Sequence, residues 1–589
     1  MRPVVDTVAP LTVRPAADTG SDSTAVLLRV LTADDTIKTP LASPYLPNAS
    51  RSARTKTEWN RDELFAAGAL TLGELVAQVP GATLMTTGFL MAPQVVAWHG
   101  DPAAVRLFVD GIEREDVTPR NAGVSDLALF PLWALEQVSF EITPGELRVH
   151  ARTWRVDRTT PYTRTDVLTG SENLNLFRGY FGKRSATGVA VQLAAQQAST
   201  ASVRGLDGEG LGAMARLGWA RGEWSVDATM IRQGLKRHSG VRFAQTTPVA
   251  HAFPPFNGSS SMSYLRAAWR GPQGDGPWMQ IVAATLGATK TRPAASSTNG
   301  SKSVPSDSAD TTSSRAQYTV TGGLNRGPLR LSGTARVRSA DGTSDAAPAV
   351  RAEWSTGWLS VAANAGRRFG GAPVWDARGV VSPRDWLRFS GTIGVSRAGI
   401  DPGIESRAGS HVDAAIRLRG RWLSVGAITL AGGAVAAPIE LDTVMRQVLV
   451  PDGKAITISF SGPLIRGFQF HTEFVEWEGA TTYRPQSQAK TRLWFASSFA
   501  EALPHSNFHI MAALKHEYRS RLFVPTGSDG LGQVSKASSV FGSLLEIRIA
   551  SAVISWDYRN MSGTNFETFP GYLMPRITSV YGIRWEFWN

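Results

Sequence analysis

The 589-residue sequence contains no cysteine. Disulfides, thiolate metal sites and a thiol nucleophile are thereby excluded. It also lacks any run of about 18 apolar residues, although 42% of its residues are hydrophobic. A membrane-spanning helix is therefore excluded. Strands that cross a bilayer escape that test, because they are apolar only at every second position. Blocks of like charge are missing too. The net charge is +12, but Lys and Arg stand singly along the chain, so no nucleic-acid partner is expected. Nor does a secretory signal open the chain, since "MRPVVDTVAPLTVRPA" has no apolar core of about 7–15 residues. Two expectations stand: a cytosolic chain, or a true start that lies upstream.

Catalytic patterns are equally sparse. Gly208, Gly210 and Gly212 in "GLDGEGLGA" neither follow a buried parallel strand nor precede a helix. They read as a loop rather than a phosphate cradle. His505 and His509 have helix-type ligand spacing but lie around an expected turn and strand, so no metal is expected. "SVPSDSADTTSSR" (303–315) reads as a solvated loop rather than a calcium site. No cofactor and no enzymatic activity are expected.

What is present changes texture near residue 155. Residues 1–55 are rich in Pro, Ala, Ser and Thr without periodicity, and read as a flexible leader. Residues 56–155 read as a small α+β domain. "TLGELVAQVPG" (71–81) predicts a short helix with Thr71 as cap, Glu74 completing a capping box, and Leu72, Leu75, Val76 and Val79 on one face. "AVRLFVDGIERED" (104–116) predicts two strands joined at Asp110-Gly111. "LEQVSFEITPGELRVHART" (135–153) predicts another pair joined at Pro144-Gly145.

From residue 156 to 589 strand follows strand. "GEWSVDATM" (222–230) sets Trp224, Val226, Ala228 and Met230 against Glu223, Ser225, Asp227 and Thr229. "HVDAAIRLRG" (411–420), "VFGSLLEIRI" (540–549) and "VISWDYR" (553–559) alternate in the same way. About 22 strands are predicted, an even number, as bacterial single-chain barrels require. Tight connections near 221, 326, 356–357, 420 and 550 follow even-numbered strands. Long ones at 233–259, 291–314, 399–408, 436–453, 521–536 and 561–574 follow odd-numbered strands. That parity belongs to an up-and-down transmembrane β-barrel, with tight turns on one rim and long loops on the other. It speaks against a propeller or a secreted β-rich adhesin. The last strand, "YGIRWEFWN", carries Tyr581, Ile583, Trp585 and Phe587 on one face. It is expected to close the barrel against the first strand.

Together these features resemble the TonB-dependent outer-membrane receptor family. "LTLGELVAQVPGA" (70–82) is similar to its plug helix ending in Val-Pro-Gly, "RLFVDGIE" (106–113) to its Asp-Gly hairpin, and 135–153 to the strands leading into the barrel. "VVDTVAPLTV" (4–13) resembles a TonB box, with Asp6, Thr7 and Val8 at its head. The resemblance implies a plug domain inside a 22-stranded barrel in the outer membrane. It also implies TonB as energy-coupling partner and import of a scarce small molecule such as an iron chelate, as in siderophore uptake. The alternative is a passive porin-like channel with a degenerate plug. Phe253 and Phe256 in "HAFPPFNG" (251–258) fall on a long expected external loop, as candidate substrate contacts.

Overall fold

The computed structural model describes residues 44–47, 56–114, 123–156, 159–201, 207–238, 240–242, 251–253, 256–291, 311–340, 342–397, 404–438, 441, 447–465, 467–498, 508–525 and 532–588. Its dominant feature is a closed antiparallel barrel of 22 strands. The first, Tyr162–Gly170, pairs with the last, Thr578–Trp588. Tyr581 lies opposite Thr169, Ile583 opposite Val167, Trp585 opposite Thr165 and Phe587 opposite Thr163. Closure leaves no unpaired edge, which hydrocarbon would not tolerate.

The two faces of the wall are inverted relative to a soluble sheet. In Trp224–Arg237, Trp224, Val226 and Met230 are exposed while Ser225, Asp227 and Thr229 are buried. In Arg407–Leu418, Val412 is 57% exposed and the adjacent Asp413 9%. Apolar side chains point outward and polar ones into the lumen, as a bilayer solvent demands. Trp219, Trp224, Trp354, Trp358, Trp386 and Trp585 are all exposed and all lie near the same rim. Amphipathic rings gather at a membrane–water boundary in this way.

That rim carries the tight turns, from Arg221 to Trp224, Arg326 to Leu329, Leu418 to Arg421 and Ile549 to Ala552. The opposite rim carries the long connections, such as Arg237 to Phe256, Leu430 to Gly453 and Arg559 to Thr578. The parity has three exceptions. Gly170 to Leu174 is tight on the loop rim. Ala340 to Thr343 is tight on the loop rim, and Ser497 to Phe508 is long on the turn rim.

Ahead of the barrel, residues 58–153 form β1 (Glu58–Asn60), α1 (Arg61–Ala66), α2 (Leu72–Val76), β2 (Ala82–Thr86), β3 (Gln94–Trp98), β4 (Val105–Val109), β5 (Ile112–Arg114), β6 (Leu135–Ile142) and β7 (Leu147–Thr153). A five-stranded sheet runs β1-β6-β7-β4-β5, with β4 parallel to β7. Its apolar core is continuous with the wall: Leu75, Val138 and Phe140 share a buried cluster with Met214, Ile231, Met262 and Leu286 from barrel strands. The domain therefore sits in the lumen as a plug.

Local rules explain its pieces. Thr71 caps α2 through the Glu74 N–H at 3.2 Å, and Leu72, Leu75, Val76 and Val79 are buried. The Glu74 carboxylate does not close the predicted capping box. It accepts from the Leu70 N–H at 2.9 Å, one residue earlier, and its other oxygen takes Arg559 at 2.7 Å. The true box is at α1, which the sequence reading missed. Asn60 Oδ1 accepts from the Glu63 N–H at 3.0 Å, and Glu63 Oε2 from the Asn60 N–H at 2.9 Å. The Asn-x-x-Glu signal for it was there in "NRDE". At the β4–β5 turn, Asp110 and Gly111 both have positive φ, 49° and 79°. A two-residue hairpin that follows the strand twist needs such angles.

Candidate functional site

The site with the most built-in chemistry is the seat of the plug. Lumen-facing positions alternate along each barrel strand, so an arginine on the polar row reaches inward. Four barrel arginines do so toward carboxylates of the β4–β7 sheet, and a fifth toward a backbone carbonyl. Arg336 meets Glu113 at 2.8 Å, Arg351 and Arg378 meet Glu141 at 2.5 and 2.6 Å, and Arg216 meets Asp110 at 3.2 Å. Arg266 bonds the Asp110 carbonyl, and the Tyr264 hydroxyl donates to the Asp110 carboxylate at 2.7 Å. One pair runs the other way, from plug Arg148 to wall Asp376 at 2.6 Å. Within the plug, Arg106 bridges Glu113 and Glu146.

Burial alone would raise these carboxylates. At Glu141 the guanidinium groups of Arg351 and Arg378 outweigh that effect and hold it well below the usual range. Arg155 and Arg216 do the same for Asp110. An ion cluster of this kind fixes register between plug and wall. Deleting one member strands the others, at a cost of about 3–5 kcal/mol.

The helical part of the plug is held differently. Lys490 Nζ donates to the carbonyls of Val79 and Ala82 at 3.0 and 2.9 Å. Lys515 reaches the Ala67 carbonyl at 2.6 Å, Arg492 that of Ala66 at 3.0 Å, and Arg559 that of Gly68 at 2.9 Å. These cations meet backbone carbonyls at the end of α1 and in the segment that joins α2 to β2.

The plug face toward the loop rim has two patches. One is apolar: Phe89, Leu90 and Met91 pack with Leu129, Leu174, Leu176, Leu235 and Phe256. Here the structure corrects two sequence expectations. Gly208, Gly210 and Gly212 are not a loop but lie in the strand Gly208–Arg221. A Cβ on Gly208 would come within 2.5 Å of Met91, and one on Gly212 within 2.7 Å of Trp133, so the missing side chains are what admits the plug. Phe256 is likewise not on an exposed loop. It opens the strand Phe256–Trp269 and is 4% exposed within this cluster. Phe253 ends a three-residue strand, His251–Phe253.

The other patch is polar. Asp101 faces Arg407 at 3.4 Å, and burial pushes its carboxyl up to about 6. Beside it Arg484 is 4% exposed and lies 4.1 Å over the Trp477 ring. No carboxylate pairs with Arg484 among the described residues. Burial and then the charge of Arg407 lower its guanidinium to about 10. Asp6, Thr7 and Val8 lie outside the described residues, as do His505 and residues 303–310. His509 sits in the strand Phe508–Arg519.

The whole arrangement, a closed barrel filled by its own N-terminal domain, can be set beside known proteins. No protein-family model and no curated protein matches the sequence. Solved structures do. The siderophore receptor PirA from Acinetobacter baumannii superposes with a TM-score of 0.67 at 10% identity, covering 90% of this chain and 98% of that one. The FrpB iron transporter from Neisseria meningitidis gives 0.66 at 9% identity, with 92% and 100% covered. The ferric yersiniabactin uptake receptor FyuA from Yersinia pestis gives 0.64 at 11% identity, with 94% and 100% covered. This is the fold of the plugged siderophore receptors. At such identities the likeness is one of architecture.

Proposed function

We propose that the chain is an outer-membrane active transporter that imports a scarce small molecule, with an iron chelate as the leading substrate class. The observation that carries this reading is the plug seated by a buried ion cluster. A barrel of 22 strands is wide enough to leak without a filling, and a filling fastened this firmly calls for an external source of work. The turn rim would face the periplasm, where residues 1–43 can meet a TonB-type partner. Asp6, Thr7 and Val8 offer an extended segment for strand addition to it. The loop rim would face outward and receive substrate above the Phe89–Met91 patch and Arg484. Phe253 stays a candidate contact there. The lipid-facing tryptophan rim supports outer-membrane placement. Domain limits of 1–55, 56–155 and 156–589 fit this division of labour, and transport needs no catalytic centre.

The test is growth of an iron-limited host, lacking its own receptors, on a panel of ferric chelates. The parent chain should restore growth on at least one chelate. Thr7→Pro, which removes a backbone donor from the pairing segment, should abolish that growth at unchanged protein abundance. Equal growth of the two would favour the passive channel instead.

A further inference from the structure

Residues 44–47, Pro-Tyr-Leu-Pro, belong to the expected flexible leader, yet they have a fixed place. The Tyr45 ring stacks on Trp278, with centroids 4.9 Å and planes 26° apart. Its hydroxyl shares a hydrogen bond with Ser332 Oγ at 2.9 Å, and its N–H donates to Gln280 Oε1 at 3.0 Å. All three partners belong to the barrel wall near the turn rim. Trp278 and Gln280 lie in Gly276–Thr291, and Ser332 in Leu329–Ala340.

The seat is built for this ring. A Cβ on Gly323 would fall 2.6 and 2.7 Å from Cζ2 and Cε2 of Trp278, so glycine there leaves room for the indole. Asn325 donates to the carbonyls of Pro272 and Gly274 at 2.8 and 2.9 Å, bracing the adjoining turn. A cavity of about 150 Å³ continues beside the ring, between Leu46, Pro47, Arg330 and Glu353. Pro44 and Pro47 restrict the free segment, so less entropy is lost when it docks. On the plug side the same cavity is lined by Glu58, Gln137, Ser139 and Arg152, and a Cβ added at Gly111 would meet the Tyr45 carbonyl oxygen at 3.3 Å.

We propose that Tyr45 is a latch that ties the leader to the barrel wall, so that tension applied upstream of it reaches the plug only after the ring has left its seat. The argument is one of mechanical series. A fixed point on the wall bears any load from residues 1–43, so the chain beyond it carries none of that load until the ring lets go. Chance tugs then leave the plug's ion cluster undisturbed, and a sustained pull releases first the ring and then the plug. The role under tension rests on the pulled leader proposed above, whereas the docking itself does not.

Both parts are tested on the purified full-length protein without a partner. Trypsin sites at Arg51 and Arg54 lie between the latch and the plug, and Lys38 lies upstream as an internal control. Tyr45→Ala should speed cleavage at Arg51 and Arg54 roughly tenfold or more, the loss of a stacked ring and its hydrogen bonds. Cleavage at Lys38 should not change. Tyr45→Phe, which keeps the stack, should fall between, and Gly323→Leu, which displaces Trp278 while leaving Tyr45 intact, should match Tyr45→Ala. Equal rates at Arg51 and Arg54 in the parent and in Tyr45→Ala would overturn the docking. In single-molecule pulling from the N-terminus, the parent should show a short early rupture before plug extraction, and Tyr45→Ala should lack it. An early rupture that persists in Tyr45→Ala would overturn the latch. Neither readout depends on uptake, so a failed growth test would remove the transporter reading and leave the docking result standing.

Discussion

Glu141 receives Arg351, Arg378, Arg148 and His150 at once. Glu141→Gln would leave two buried guanidinium groups short of a counter-charge. Plug seating should weaken by about 3–5 kcal/mol, read as a shift in the urea midpoint for plug release while barrel unfolding stays put. The pH dependence has a definite sign. Glu141 and Asp110 are depressed in the folded protein, so their contribution is complete above the ordinary carboxylate range. It is lost only as pH falls through the lower folded values. Their contribution to seating should be flat from neutral pH to about 5 and decline below about 4. Asp101 runs the other way. With its carboxyl raised to about 6, the folded protein holds a proton that the unfolded chain has released, so stability falls as pH rises through that window. Asp101→Asn should remove this decline, as thermal melts at pH 4.5 and 7.5 would reveal. None of these pairs was legible in the sequence. Each wall arginine looks like one more isolated charge, because its partner stands between 106 and 306 positions away and only the closed barrel brings them together.

At the level of elements the sequence was far more informative. Strand starts expected at 162, 373, 421 and 487 are where the strands Tyr162–Gly170, Pro373–Arg384, Arg421–Leu430 and Ser487–Ser497 begin. An apolar row on a period of two, interrupted by Gly and Pro, needs no tertiary knowledge to be recognised. The failures have equally physical causes. Gly208, Gly210 and Gly212 give no apolar row, so a strand built to admit the plug was read as a loop. Helix α1 is a single short turn and a half with one buried residue, Leu64, too little periodicity to register. The outward row makes its own prediction. Ile583 is exposed on the closing strand, between Tyr581 and Trp585. Ile583→Arg should lower barrel stability by about 1–3 kcal/mol, between the costs at the interface and at the bilayer midplane. Arginine at the neighbouring lumen-facing position, Arg584, is already tolerated. Urea titration in lipid vesicles would measure the loss, and an unchanged midpoint would place this face away from lipid.

Across the whole molecule the two classes of plug contact divide the wall. The strands from Gly208–Arg221 to Pro373–Arg384 hold the sheet by ion pairs, and those from Ser487–Ser497 to Ala552–Arg559 hold the helical part through backbone carbonyls, with one ion pair, Arg559 to Glu74, beside them. Together they make the plug the closure of the pore, the claim on which the transport reading rests. The most direct measurement is conductance in a planar bilayer, comparing the full chain with a chain lacking residues 56–155. The full chain should be silent, and the shortened chain should show large, steady openings of a wide pore. Equal conductance from the two would contradict the account, because the plug would then close nothing.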